Sequence, residues 1–100
     1  MTDKLIVKTL PEFDTWLNGL KDRVTIMRLK TRLRKVMLGN IGDTKPVGDG
    51  VFEMREFFGP GWRMYYVKRG NVIIVMLGGG DKSTQTADIA TAIDRATKLE

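Results

Sequence analysis

Val51-Phe52-Glu53-Met54-Arg55-Glu56-Phe57-Phe58-Gly59-Pro60-Gly61-Trp62-Arg63-Met64-Tyr65-Tyr66-Val67-Lys68 reads as two strands joined by a glycine-proline turn. The spacing predicts strands over residues 51–58 and 62–68 in an antiparallel hairpin. With Gly59-Pro60-Gly61 as a three-residue link, Phe58 faces Trp62, Phe57 faces Arg63, Arg55 faces Tyr65 and Glu53 faces Val67. Side chains alternate sides along a strand. One face therefore collects Glu53, Arg55, Arg63 and Tyr65. The other collects Phe52, Met54, Phe58, Trp62, Met64 and Tyr66, with Glu56 as its misfit. The second set is a core surface. The first is either an exposed face of ion-paired charges or a cationic site. A slip of register would change the pairing across the hairpin but not the sharing within each strand.

A third strand is expected over residues 72–77, joined to the second by a turn at Gly70-Asn71, and a short one near residues 45–47. Upstream, Leu5-Ile6-Val7 forms a brief strand. Thr9-x-x-Glu12 has the pattern of a capping box, with Pro11 tolerated in the first turn. Phe13, Trp16, Leu17 and Leu20 then recur at helical spacing. Asp22 caps a second helix to about residue 38, where Ile26, Leu29, Leu33, Val36 and Met37 fall within a stripe about 100° wide. Gly39-Asn40 stops it. After Gly78-Gly79-Gly80, Ser83 is expected to cap a last helix with Ile89, Ala92, Ile93, Ala96 and Leu99 as its apolar stripe. The order is β-α-α-β-β-β-β-α, an α+β fold with helices against one face of a mostly antiparallel sheet.

The chain has 100 residues, enough for a single domain over residues 1–100 with one two-layer core. Its apolar runs fall far short of the ~20 residues of a membrane span. Met1-Thr2-Asp3-Lys4 lacks the layout of an export signal. There is no cysteine, hence no disulfide or thiolate zinc site. A cytoplasmic protein without membrane association is expected. Histidine is also absent, which removes the commonest general base and metal ligand. No metal or cofactor is expected, and any catalysis must use Arg, Lys, Tyr, Glu, Asp or Ser.

The 17 Lys and Arg outnumber the 12 Asp and Glu, for a formal charge of +5. Seven of these cations lie in residues 21–35, among them Arg28, Arg32, Arg34 and Lys35, beside one acid, Asp22. Such a block favours polyanions through counterion release, or is a solvated helix face. Gly78-Gly79-Gly80-Asp81-Lys82-Ser83 offers a second place for an anion, at a helix N-terminus with a cation and a hydroxyl. It lacks P-loop spacing, and a plain glycine turn is the alternative. Antiparallel topology sets the start of this helix level with Arg63.

Three runs taken together resemble a known family. They are Gly39-Asn40-Ile41-Gly42-Asp43-x-Lys45-Pro46-Val47-Gly48-x-Gly50-Val51-x-Glu53-x-Arg55, Gly59-Pro60-Gly61-Trp62-Arg63-x-Tyr65-Tyr66, and Leu77-x-Gly79-Gly80-Asp81-Lys82-Ser83-x-Gln85. The chain is similar over nearly its whole length to phage-derived addiction-module killer proteins, HigB-like members of the RelE/ParE toxin superfamily. The resemblance implies a small RelE-like fold and the toxin of a type II toxin–antitoxin pair, a metal-independent endoribonuclease that cuts mRNA on the ribosome. The implied partners are a HigA-like helix-turn-helix antitoxin, mRNA and the ribosome. It places catalysis at Arg63, with Arg55 and Lys82. Glu53 or Lys82 would act as base, and Tyr65 would donate to the leaving group or stack a base. Lys45 and Ser83, with Arg28, Arg32, Arg34 and Lys35, are the expected RNA- or phosphate-binding residues. Relatives that use a tyrosine or histidine near the C-terminal end have no counterpart here, since the last tyrosine is Tyr66. Two other readings fit the same residues: a ParE-like gyrase poison, and a non-catalytic inhibitor that binds ribosome or RNA through the basic helix.

Overall fold

The computed structural model describes residues 4–99; Glu100 and the Met1-Thr2-Asp3 start, where no export signal is expected, lie outside the described residues. The elements are β1 (Ile6–Thr9), α1 (Pro11–Asn18), α2 (Arg23–Met37), β2 (Thr44–Gly48), β3 (Val51–Arg55), β4 (Trp62–Arg69), β5 (Ile73–Asp81) and α3 (Gln85–Thr97), with a 3₁₀ turn at Lys82–Thr84 before α3. The fold is α+β, in the order expected. The strands lie side by side as β1-β5-β4-β3-β2, with β1 parallel to β5 and every other pair antiparallel.

Helices cover both faces of the sheet, not one. Phe13 and Leu17 of α1 and Leu29, Leu33 and Val36 of α2 pack with Met54, Met64, Tyr66, Ile74 and Met76. On the other side Ala92 of α3 packs with Val51, Tyr65, Val67, Val75 and Leu77, flanked by Ile89, Ile93, Ala96 and Leu99. The apolar stripe of α3 needs such a surface, and Val51, Val67 and Leu77 supply it on the face that also carries the charges.

The β3–β4 hairpin pairs Arg55 with Arg63, Glu53 with Tyr65 and Val51 with Val67, two residues away from the expected register. Its link is residues 56–61, closed by the Glu56 amide donating to the Trp62 carbonyl at 2.9 Å. Phe57 and Phe58 thus leave the strand. The reason lies in α2, where Arg32 binds the Arg55 carbonyl at 2.9 Å and the Glu56 carboxylate at 2.5 Å, drawing the chain out of the ladder. That pair also resolves Glu56 as the misfit on an apolar face. A shift of two residues preserves parity, so the face memberships stand.

Gly78-Gly79-Gly80 is not a turn; it is the second half of β5. A bulge at Leu77, between the pairs Tyr65↔Gly78 and Tyr66↔Met76, sets these glycines under both helix layers. A Cβ at Gly78 would lie 2.6 Å from Arg95 Nη1, one at Gly79 would strike the Trp16 ring, and one at Gly80 the Asp88 carboxylate. Glycine is required by close approach from both sides.

Two caps differ from expectation. Leu10, not Thr9, holds the N-cap position of α1, and the Thr9 hydroxyl donates to Asp14 at 3.0 Å instead of forming a capping box. Ser83 does not cap α3; the Asp81 carboxylate accepts from the Ser83 amide at 2.8 Å and from its hydroxyl, which winds the 3₁₀ turn. Asp22 does cap α2, accepting from the Val24 amide at 3.1 Å and the Thr25 hydroxyl at 2.9 Å.

Candidate nucleic-acid interface

Strand alternation and the β3–β4 register put Arg55 and Arg63 side by side at one end of the hairpin. Like charges opposite each other destabilise a sheet, and each guanidinium has a local partner. Arg55 Nη2 donates to Asp43 at 3.1 Å. Arg63 Nη1 donates to the carbonyls of Trp62 at 3.2 Å and Glu56 at 3.4 Å, and its Nε lies 3.9 Å from a Glu53 carboxylate oxygen. Phe57 stands out of the link 74% exposed, its ring centre 5.6 Å from the Arg55 guanidinium carbon and 6.0 Å from that of Arg63. A Cβ on Gly61 would lie 3.5 Å from Lys82 Cβ and 3.6 Å from Arg63 Nη1, so Lys82 borders the same spot. Three cations and one bare aromatic ring surround the tip of the hairpin.

Beneath them lies a layer cut off from solvent. Glu53 is 1% exposed and accepts from Gln85 Nε2 at 3.0 Å; Tyr65 is fully buried, and Arg63 itself is 7% exposed. Arg63 is therefore not the surface side chain that its position opposite the larger apolar set suggested, because α3 roofs that face. Burial pushes the Tyr65 phenol above its ordinary pKa of 10.0, the Glu53 and Asp88 carboxylates push it further, and Arg63 opposes them. It stays a neutral donor. Glu53 and Tyr65 accordingly do not stand where a substrate could meet them directly. Among the described residues four buried side-chain polar atoms have no hydrogen-bond partner, the Nε of Arg55 and Arg63, Trp62 Nε1 and the Tyr65 hydroxyl. Such a group costs about 1–3 kcal/mol, and all four belong to the β3–β4 hairpin. Gln85, quoted above without a role, is the residue that composition and parity could not find.

The basic block divides. Arg32 is 8% exposed and spends its donors inside: Nε and Nη2 on the Ile41 carbonyl, Nη2 on Asp43, and Nη1 on Arg55 and Glu56. It is a brace, not a phosphate ligand. Arg28 lies flat on Phe58, its guanidinium carbon 3.7 Å from the ring centre. Arg34 and Lys35 are exposed in the last turn of α2, where cations complement the helix dipole. Lys45 is exposed on β2, opposite Glu53 in the ladder. Ser83 is exposed but engaged with Asp81, whose carboxyl the Ser83 hydroxyl and amide hold below its ordinary value. That carboxylate occupies the turn before α3, so the expected anion site there is already filled by the chain itself. Among the described residues no group of three or more His, Cys, Asp or Glu could hold a metal ion, and no helix is long and apolar enough to cross a membrane.

No protein-family model matches the chain. A protein of Haemophilus influenzae, itself described as uncharacterized, is 42% identical over 86 residues, which cover 86% of this chain and 87% of that protein. Among solved structures, a mutant of the E. coli toxin RelE in the free state superposes with a TM-score of 0.73 at 13% identity, over 97% of this chain and 100% of that one. The fold is that of RelE.

Proposed function

Since this chain belongs to one family with the Haemophilus influenzae protein and has the RelE fold, we propose that it is a HigB-like toxin of a type II toxin–antitoxin system, a ribosome-dependent endoribonuclease that cuts mRNA and inhibits translation. The observation that carries this reading is the meeting of Arg55, Arg63, Lys82 and the exposed Phe57 ring at one hairpin tip. Phosphate oxygens call for guanidinium forks; a splayed base calls for an aromatic face.

In the proposed reaction a ribose 2′-oxygen bonds to the adjacent phosphorus and the bond from phosphorus to the 5′-oxygen breaks. A 2′,3′-cyclic phosphate and a 5′-hydroxyl result. Arg63 and Arg55 hold the non-bridging oxygens as charge accumulates on them. The 2′-hydroxyl gives up its proton as the new bond forms and the leaving 5′-oxygen gains one, with Lys82, exposed beside them, as the proposed group in this transfer. Glu53 acts from below, as a positioning residue that orients Arg63, and Tyr65 stays buried in the same layer. No metal enters. A helix-turn-helix antitoxin of the HigA kind is the proposed partner that silences the toxin, and the cytoplasm is the proposed place of action.

The test is expression of the wild-type chain and of Arg63→Ala in growing cells, with primer extension on abundant transcripts. New ends with 5′-hydroxyls in the wild type, absent with Arg63→Ala, are the expected result. Growth arrest with intact transcripts and a DNA-damage response would overturn it in favour of gyrase poisoning; arrest with intact transcripts and intact DNA would favour plain ribosome binding.

A further inference from the structure

A groove of about 560 Å³ opens between α2 and the segment that follows it, with Glu56 at its wall. That volume suits one small ligand or one residue of a larger one. Val24 and Met27 face it from α2 and are 62% and 65% exposed, so the groove presents bare apolar surface. Arg28 and Lys35 supply positive charge along the same helix side. Arg28 is not free to swing, because its guanidinium rests on Phe58.

The wall is fixed as firmly. Arg32, held by the carbonyls of Ile41, Asp43 and Arg55, binds Glu56 through Oε2. Glu56 Oε1 accepts no hydrogen bond among the described residues. A carboxylate oxygen clamped in one direction is an acceptor awaiting a donor. The groove therefore asks for a flat apolar body, an N–H group and an anion in one ligand. An acidic peptide would satisfy the cations and leave Oε1 facing further carboxylates. A nucleotide satisfies all three.

We propose that this groove binds one unstacked RNA base, its flanking phosphates on Arg28 and Lys35 and its exocyclic amino group on Glu56 Oε1. It rests on the reading above that the chain engages RNA, and adds a base preference: adenine, cytosine or guanine over uracil, which has no exocyclic amino group and whose single N–H lies between two carbonyl oxygens that a carboxylate repels. Glu56 links the two places. Its main-chain carbonyl receives Arg63 Nη1 while its side chain lines the groove, so a strand gripped at the hairpin tip continues across residues 56–61 into the groove.

The experiment measures equilibrium binding of the full chain to 2′-O-methyl uridine nonamers in which the central residue is U, A, C or G. Blocking the 2′-hydroxyl separates binding from cleavage. The wild type should bind the A, C or G oligomers roughly tenfold more tightly than all-U, the size of one hydrogen bond to a charged group. Glu56→Gln, whose amide can still accept from Arg32 while turning its N–H₂ outward, should lose that preference or reverse it towards U; losing the charge paired with Arg32 should also lower the melting temperature, so binding is read well below it. Met27→Ser, which removes apolar surface without adding charge, should weaken every oligomer while inorganic polyphosphate binds as before. Equal affinity for all four oligomers, or a Glu56→Gln protein with the wild-type preference, overturns the groove assignment and leaves the RNA reading standing. Tighter binding of poly-glutamate than of any oligomer overturns it in favour of an acidic protein partner. Failure to bind any oligomer overturns the groove assignment, while the ribosome-dependent reading is decided by the primer extension described above.

Discussion

Arg63 couples two demands. The residue is 7% exposed, with the buried Glu53 carboxylate 3.9 Å from its Nε. Arg63→Ala removes a cation from the proposed transition state, a loss of about 10²–10³ in rate. It also leaves Glu53 buried without its counter-charge, and breaking a buried pair costs about 3–5 kcal/mol. The variant should melt well below the wild type. Arg63→Lys keeps the charge and loses the fork, so cleavage should recover only in part while most of the stability returns. Cleavage assayed below both melting temperatures checks this. An Arg63→Ala chain as stable and as active as the wild type would remove Arg63 from the site.

The tyrosines give a pH dependence that can be read in isolation, because Tyr65 and Tyr66 are the only two in the chain. Burial raises both above the ordinary 10.0, with Thr44 and Arg32 opposing the rise at Tyr66. A pKa raised on folding contributes stability that is complete below the unfolded value and is lost as pH rises beyond it. Unfolding should therefore set in above about pH 10, with tyrosinate absorbance appearing in step with the loss of helix signal. A smooth tyrosinate titration near pH 10 in the folded chain would contradict the burial of both rings.

At the scale of elements, what the sequence disclosed follows from what is local. Period-two alternation on β3 and β4 is independent of register, so the faces of Glu53, Arg55, Arg63 and Tyr65 were legible. The pairing was not, because Phe57 and Phe58 have the chemistry of strand residues and only Arg32, far along the chain, removes them. Arg32 had left a trace: three residues after Leu29 and four before Val36, it lies on the buried side of α2. A charge count could not separate it from its neighbours. The glycines of β5 resemble a turn for the same reason, since their need for hydrogen in place of a side chain comes from Trp16, Asp88 and Arg95 overhead. Gly79→Ala tests this. Its methyl group would displace the Trp16 ring from its edge contact with Trp62, 6.3 Å between ring centres. Overpacking of this kind costs about 1–3 kcal/mol. Trp16 and Trp62 are the only tryptophans, so the fluorescence spectrum should shift together with the melting temperature. A wild-type spectrum would mean the helix stands off the strand.

For the molecule as a whole, the net charge of +5 is unevenly usable. Arg32 is consumed inside, whereas Arg28, Arg34 and Lys35 stay at the surface. Replacing these three with Gln should flatten the salt dependence of ribosome binding by roughly one unit of slope for each phosphate no longer neutralised. Arg32→Gln should leave the slope of the folded fraction unchanged and lower stability instead. A slope unaltered by the triple change would make this helix side merely solvated.

The position of β1 has a bearing on when the molecule comes into being. It lies at the edge of the sheet, and its one strand partner is β5, in the register Ile6↔Ile73 to Thr9↔Met76. A growing chain lengthens by about 5–20 residues per second, so for several seconds the first strand is outside the ribosome with nothing to pair with. The hairpin tip waits longer still. Arg63 aligns with Gly80, and Lys82 and Gln85 follow it. Closing so long a loop is slow as well as late. β1 and the hairpin tip thus become ordered only once residues 73–85 have been made and have left the ribosome. A nascent copy that lacks residues 73–85 has neither a closed sheet nor an assembled cluster of cations, and the order of synthesis itself delays the proposed activity until β5 and the start of α3 are free to pair.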